Sequence, residues 1–217
     1  MPTRHLDLGC GPVPRNPYGR DELYGVDLGA ASPADAAGDS RIRRANLALQ
    51  PIPWPDSSFD SVSAYDFLEH VPRLLATADG SGTRFPFVEL MNEVWRVLKP
   101  GAMFYAVTPA YPHPAVFQDP THVNFLTRGS HDYFTRPHRL AAMYGFAGDF
   151  RCVRAQPTRH HAAAPAYDPA PQSWIDRWRH SRRVARGACG HLIWEFEALK
   201  APAATATTPA PPGPARA

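Results

Sequence analysis

Residues 5–27 read HLDLGCGPVPRNPYGRDELYGVD, an apolar run that breaks at two glycines and a second apolar run that closes on an aspartate. A buried strand ending in glycine lets backbone approach a ligand closely, because no Cβ stands in the way. Gly9 and Gly11 occupy that place. An acidic side chain at the tip of the next strand accepts two hydrogen bonds from a ribose diol, a common way of holding nucleoside-containing cofactors. Asp27 occupies that one.

Outward from this stretch, short apolar runs alternate with helical patterns, as in a parallel sheet covered on both faces. Strands are expected near residues 5–8, 23–26, 41–45, 61–65, 102–108, 150–154 and 191–199. The fold class that follows is α/β, a Rossmann-like doubly wound sheet of about seven strands, mostly parallel with an antiparallel C-terminal strand. In FPFVELMNEVWRVLKPG, Phe87, Met91, Val94, Trp95 and Leu98 share a helical face, and Pro100 with Gly101 is expected to stop the helix. A further helix is expected over Ser130 to Tyr144, ended by Gly145. Prolines at 12, 14 and 17 each remove a backbone donor, so no full helix is expected after the glycines.

A length of 217 residues suits one domain with a sizeable core. Residues 1–200 are read as that domain. Residues 201–217, made of alanine, proline, threonine, glycine and one arginine, are read as a disordered tail with nothing large to bury. No apolar run approaches the roughly 20 residues needed to cross a bilayer, and no signal pattern opens the chain, so a cytoplasmic protein is expected. Cys10, Cys152 and Cys189 lack ligand or framework spacing and read as reduced thiols. A net charge of +3 argues for no nucleic-acid partner, and no RNA- or DNA-binding module is recognisable.

A G-x-G also serves ordinary turns, and a dinucleotide fold would want a third glycine where Pro14 stands. The sequence instead resembles the class I S-adenosylmethionine-dependent methyltransferases. DLGCG matches their first motif, GVD their second and NLALQPIPWPDSSFD their third region, while FLEHV and VWRVLKPGA recur at the expected later stations. These matches cover roughly residues 5 to 108. The resemblance implies a methyltransferase with S-adenosylmethionine as cofactor. It places Asp7 beneath the glycine loop, Gly9 and Gly11 against the methionine portion, Asp27 on the ribose hydroxyls, Asn46 and Leu47 beside the adenine, and Tyr65 with Asp66 close by. The plain alternative for Asp27 and Asn46 is turn capping. Arg15 or Arg20 is a candidate for the cofactor's carboxylate in place of a helix terminus.

Ligands of such sheets gather at the carboxyl ends of the strands, which directs attention to AYDFLEHV and to TPAYPHPAVFQDPTHVNFLT. Glu69 and His70 open a helix there, in a position where polar residues are also purely structural. The second stretch carries Tyr111, His113, Asp119, His122 and Asn124. His122 is the candidate general base, against a rigid turn capped by Asp119. No metal is expected, since these residues and the His160–His161 pair lack a recognised ligand spacing. The basic stretch 177–186 reads as the flank of a helix docked by Trp174 and Trp178, or as a site for an anionic acceptor.

The leading expectation is methyl transfer to an oxygen or nitrogen nucleophile of a small-molecule or glycan-like acceptor, with oligomeric state left open. Two alternatives stand beside it. One is a catalytically inactive S-adenosylmethionine-binding regulator or partner subunit, since the chain begins almost at its first strand without helices to cover an acceptor. The other is an NAD(P)-dependent oxidoreductase, which Pro14 opposes.

Overall fold

The computed structural model describes residues 1–29, 41–159 and 173–201. Its centre is a seven-stranded sheet of β1 (Arg4–Leu8), β2 (Glu22–Asp27), β3 (Ile42–Arg44), β4 (Phe59–Tyr65), β7 (Leu98–Pro109), β8 (Phe150–Thr158) and β9 (His191–Ala198). A separate two-stranded ribbon pairs β5 (Leu75–Ala76) with β6 (Thr83–Arg84). The strand order is β3-β2-β1-β4-β7-β9-β8. β3, β2, β1, β4 and β7 run parallel, and β9 lies antiparallel between β7 and β8. This is the Rossmann-like sheet the alternation implies, with the last strand reversed. The order turns back between β1 and β4, so the chain leaving their carboxyl ends diverges and opens a crevice there.

Alternation along the strands sends two different sets of side chains to the two faces. Leu6, Leu8, Val26, Val62, Ala64, Phe104 and Ala106 pack on one face with α1 (Pro86–Val97), whose Phe87, Leu90, Met91, Val94 and Val97 are buried. The other face carries His5, Asp7, Ser61, Ser63, Tyr105 and Val107. A buried face bearing this many polar groups must satisfy them internally.

Several expectations need correction. α1 ends at Val97, with Leu98 already extended, and β7 runs straight through Pro100 and Gly101. The wide helix at 130–144 is two short 3₁₀ helices, Arg128–Tyr133 and Leu140–Tyr144. Pro137 between them has no N–H to continue a helix, and Arg139 sits at φ 48°. Thr127 and Ser130 form a reciprocal cap at the first, while Gly145 ends the second as expected. The segment after the glycines is irregular through Arg20, in keeping with its prolines.

α2 (Ala115–Gln118) is a single turn. α3 (Trp174–Ala185) is the basic helix, but its tryptophans do not dock it: Trp174 is 71% and Trp178 53% exposed, and no residue of α3 is buried. Among the described residues no helix is long and apolar enough to cross a membrane, and all three cysteines are free thiols. The tail expected at 201–217 lies, beyond Ala201, outside the described residues.

Candidate active site

The crevice is built from the ends of β1, β2, β3 and β4. Gly9 has φ 62° and donates its N–H to the Val26 carbonyl at 2.8 Å, so the loop turns sharply off the strand. A Cβ on Gly9 would lie 2.5 Å from Cδ2 of Phe67. Gly11, at φ 56°, would place a Cβ in open space. Asp27 ties the loop down: Oδ2 accepts the Gly11 N–H at 3.0 Å and Oδ1 the Gly29 N–H at 2.7 Å. Gly9, Asp27, Asn46 and Leu47 line one cleft of about 320 Å³ with Asp66, Phe67, His70 and Val71. Asn46 also starts a turn, its Oδ1 accepting the Ala48 N–H at 3.1 Å.

Beneath the loop lies a polar network that pairing register explains. His5 pairs with Ser61 and Asp7 with Ser63, so all four side chains share one face. Ser63 Oγ donates to Asp7 Oδ1 at 2.5 Å, and Asp7 Oδ2 accepts the Arg15 N–H at 2.8 Å. With the Ser63 proton given to Asp7, His5 Nε2 must donate to Ser63 Oγ at 2.8 Å, leaving Nδ1 to accept from Ser61 at 2.7 Å. That is a neutral imidazole. Burial, with the Arg20 charge, holds His5 down at about 3. Burial pushes Asp7 up to about 6, against the pull of Ser63 and of the Arg15 N–H and guanidinium. His5 went unnoticed in the sequence; only the β1–β4 register reveals it.

Other candidates are placed less closely. Tyr65 is not brought into the cleft; its ring packs on Tyr105, and the Arg15 guanidinium lies 4.4 Å from its centroid. Arg20 reaches Ser61 Oγ and the Asp60 carbonyl, each at 3.4 Å, near the start of β4 and away from the glycine loop. The Arg20 guanidinium is thus engaged near the start of β4, and that of Arg15 over Tyr65.

At the mouth, Leu68–His70 forms one 3₁₀ turn rather than the start of a longer helix. The Glu69 carbonyl accepts the N–H groups of Val123 and Asn124 at 2.8 and 3.0 Å, which draws the loop after β7 over the turn after β4. Asn124, buried, accepts from Arg73 Nε at 3.0 Å and so braces the same junction. This brings His122 to the crevice. Its Nδ1 donates to the Val116 carbonyl at 2.9 Å, which leaves Nε2 facing two carboxylates. Nε2 lies 4.0 Å from Glu69 Oε1 and 4.0 Å from Asp119 Oδ2. Asp119 does cap a turn, accepting from Thr121 N–H at 2.8 Å and Thr121 Oγ1 at 2.6 Å. The turn capped by Asp119 is thus seen, with the His122 ring beside it. His113 turns aside, against Gly190. Burial pushes the Glu69 carboxyl up to about 7.

Residues 6–106 match a family model described as a methyltransferase domain. Those residues form a methyltransferase domain, as the resemblance to the class I S-adenosylmethionine-dependent methyltransferases implies. No curated protein matches it in sequence. Among solved structures it is similar to a chain from the complex between the Haloferax volcanii Trm112 methyltransferase activator and a methyltransferase, with 17% identity, 92% and 83% of the two chains covered, and a TM-score of 0.51. The YcgJ protein of Bacillus subtilis (17% identity, 92% of each chain, TM-score 0.48) and an S-adenosylmethionine-dependent methyltransferase from Archaeoglobus fulgidus (15%, 90% and 86%, 0.48) are also similar. At 17% identity the likeness to the first of these speaks to the fold alone.

The methyl donor of this enzyme is S-adenosylmethionine, which supplies a methyl group on an already activated sulfonium. The cleft fits its nucleoside. Each Asp27 oxygen accepts one backbone N–H and keeps a further lone pair for a ribose hydroxyl. Leu47, Phe67 and Val71 offer apolar surface for a base, and Gly11 borders open space where a ligand can lie against backbone.

Proposed function

We propose that this methyltransferase acts on an oxygen or nitrogen nucleophile of a small-molecule or glycan-like acceptor, and that His122 activates that nucleophile. In the same reading Asp27 holds the ribose, Asn46 and Leu47 flank the adenine, Gly9 and Gly11 admit the methionine portion, and Asp7 sets the loop through the Arg15 N–H. The observation that carries it is continuity. His70 lines the Asp27 cleft and meets His122 edge-on with ring centroids 4.9 Å apart, so the cleft adjoins an imidazole whose Nε2 makes no hydrogen bond among the described residues.

Methyl transfer from a sulfonium asks the protein chiefly to align nucleophile and methyl, and well-oriented reactants gain roughly 7 to 11 kcal/mol. A hydroxyl acceptor must also lose its proton, which is the work assigned to the His122 position. A second cleft of about 460 Å³ adjoins the same loop and is lined by Phe85, Phe87, Phe125, Tyr133 and Tyr144 together with Arg73 and Asn124. Flat aromatic faces beside an arginine suit a ring-shaped acceptor bearing hydroxyl or anionic groups. The test is turnover. Purified enzyme with S-adenosylmethionine and a panel of glycosides, phenols and amines should release S-adenosylhomocysteine with at least one; binding of cofactor without release from any extract fraction would favour the inactive-subunit alternative.

A further inference from the structure

We propose that Glu69, His70 and His122 bind a divalent first-row transition-metal ion. Each offers one ligand atom, and these atoms lie within 4.8 Å of one another. Two features make this more than proximity. Glu69 is 1% exposed, its Oε2 accepts from Thr108 Oγ1 at 3.0 Å, and its Oε1 is buried without a hydrogen-bond partner. The group facing that oxygen is His122 Nε2 at 4.0 Å, too far for a hydrogen bond between them, while Nδ1 is held by the Val116 carbonyl. A buried carboxylate oxygen with no hydrogen-bond partner, facing an imidazole nitrogen across 4.0 Å, leaves a gap that a cation bound by both would fill.

The second feature is the support behind the ligands. Metal-bound imidazoles in proteins are held by a hydrogen bond on the far ring nitrogen. His122 has this in the Val116 carbonyl. His70 is anchored by Thr121 Oγ1, 2.9 Å from its Nδ1, and Thr121 in turn donates to Asp119 Oδ1 at 2.6 Å. Metal–ligand bonds of about 2.1 Å would bring the three atoms to about 3 to 3.4 Å of each other. The site therefore closes by about 1 Å on loading, which one 3₁₀ turn and one loop can supply. Two imidazoles with a single carboxylate favour zinc, manganese or ferrous ion over magnesium or calcium.

Three protein ligands leave coordination positions open on the side of the Asp27 cleft, since His70 lines it. An acceptor hydroxyl bound there would become more acidic, so in the loaded site His122 would act as a ligand and the ion would replace it in activating the acceptor. That use rests on the methyl-transfer reading; the metal site itself rests only on its own geometry. The probes are Zn²⁺ titrated by calorimetry into chelator-treated full-length protein, Co²⁺ followed by visible absorption, and Mg²⁺ as the hard-ion control. Zn²⁺ should bind one to one and more tightly than Mg²⁺. His70→Ala, His122→Ala and Glu69→Gln should each weaken it by at least about 10-fold. The double substitution H160A/H161A should leave binding intact, and a melting curve on each variant separates ligand loss from unfolding. His70→Ala, on the outer side of the cluster, is the decisive one: a folded H70A protein that binds Zn²⁺ like the wild type overturns the proposal, as does equal affinity for Mg²⁺. Metal binding without methyl transfer to any acceptor would instead refute the proposed function and leave the site standing.

Discussion

Gly9 and Gly11 provide a matched pair of perturbations. Their φ angles are 62° and 56°, so alanine at either meets nearly the same backbone penalty, about 1 to 2 kcal/mol for a left-handed residue bearing a Cβ. Their surroundings differ. At Gly11 the new methyl enters open space, whereas at Gly9 it lies 2.5 Å from Cδ2 and 2.8 Å from Cγ of Phe67. Ordinary contact begins near 3.4 Å, so the ring must retreat by about 0.9 Å or the loop must lift. Overpacking of this kind typically costs about 1 to 3 kcal/mol beyond the backbone term. Gly9→Ala should therefore be less stable than Gly11→Ala by about 1 to 3 kcal/mol in the ligand-free protein. Since Phe67 lines the nucleoside cleft, Gly9→Ala should also weaken S-adenosylmethionine binding. Urea denaturation of the two variants and wild type, with cofactor calorimetry beside it, measures both. Equal destabilisation by the two substitutions would refute the claim that Phe67 reads the missing Cβ.

Asp27→Ala should lower S-adenosylmethionine affinity by about 1.5 to 3 kcal/mol for each charged hydrogen bond lost to the ribose, read by calorimetry. It should also lower the melting temperature, because Gly11 and Gly29 lose their acceptor. His122→Ala should reduce turnover about 100 to 10,000 fold with cofactor affinity near normal and less effect at high pH; near-normal turnover would reject the assignment, and a melting shift alone would make DPTH a structural turn. Asp7 makes a pH prediction. Its folded-state value, pushed up to about 6 from 3.8, means the folded chain keeps a proton that the unfolded chain has lost. Stability on this account falls by up to ~1.4 kcal/mol per pH unit between about 4 and 6 and is flat above. His5, held at about 3, acts in the opposite sense, lowering stability as pH falls below 6.5. The difference between wild-type and Asp7→Asn denaturation curves across pH 4 to 8 should show the Asp7 slope, and parallel curves would refute it.

The sequence determined this protein's sheet and the floor of its cofactor cleft, because both are written in local patterns. Alternating apolar runs placed all seven strands of the main sheet, DLGCG and GVD placed a glycine turn and a carboxylate at strand tips, and three prolines barred a helix between them. The same local rules failed at 130–144, where Pro137 divides an apparent helix, and at α3, where the tryptophans expected to dock the helix are exposed. Tertiary structure alone decided what faces what. Pairing of β1 with β4 put His5, Ser61, Ser63 and Asp7 in one hydrogen-bonded line. The Glu69 carbonyl, by taking the N–H groups of Val123 and Asn124, brought a histidine from the loop after β7 against a carboxylate from the turn after β4. No spacing rule finds such a pair, because its two halves are joined by backbone hydrogen bonds across the crevice and not by a period along the chain.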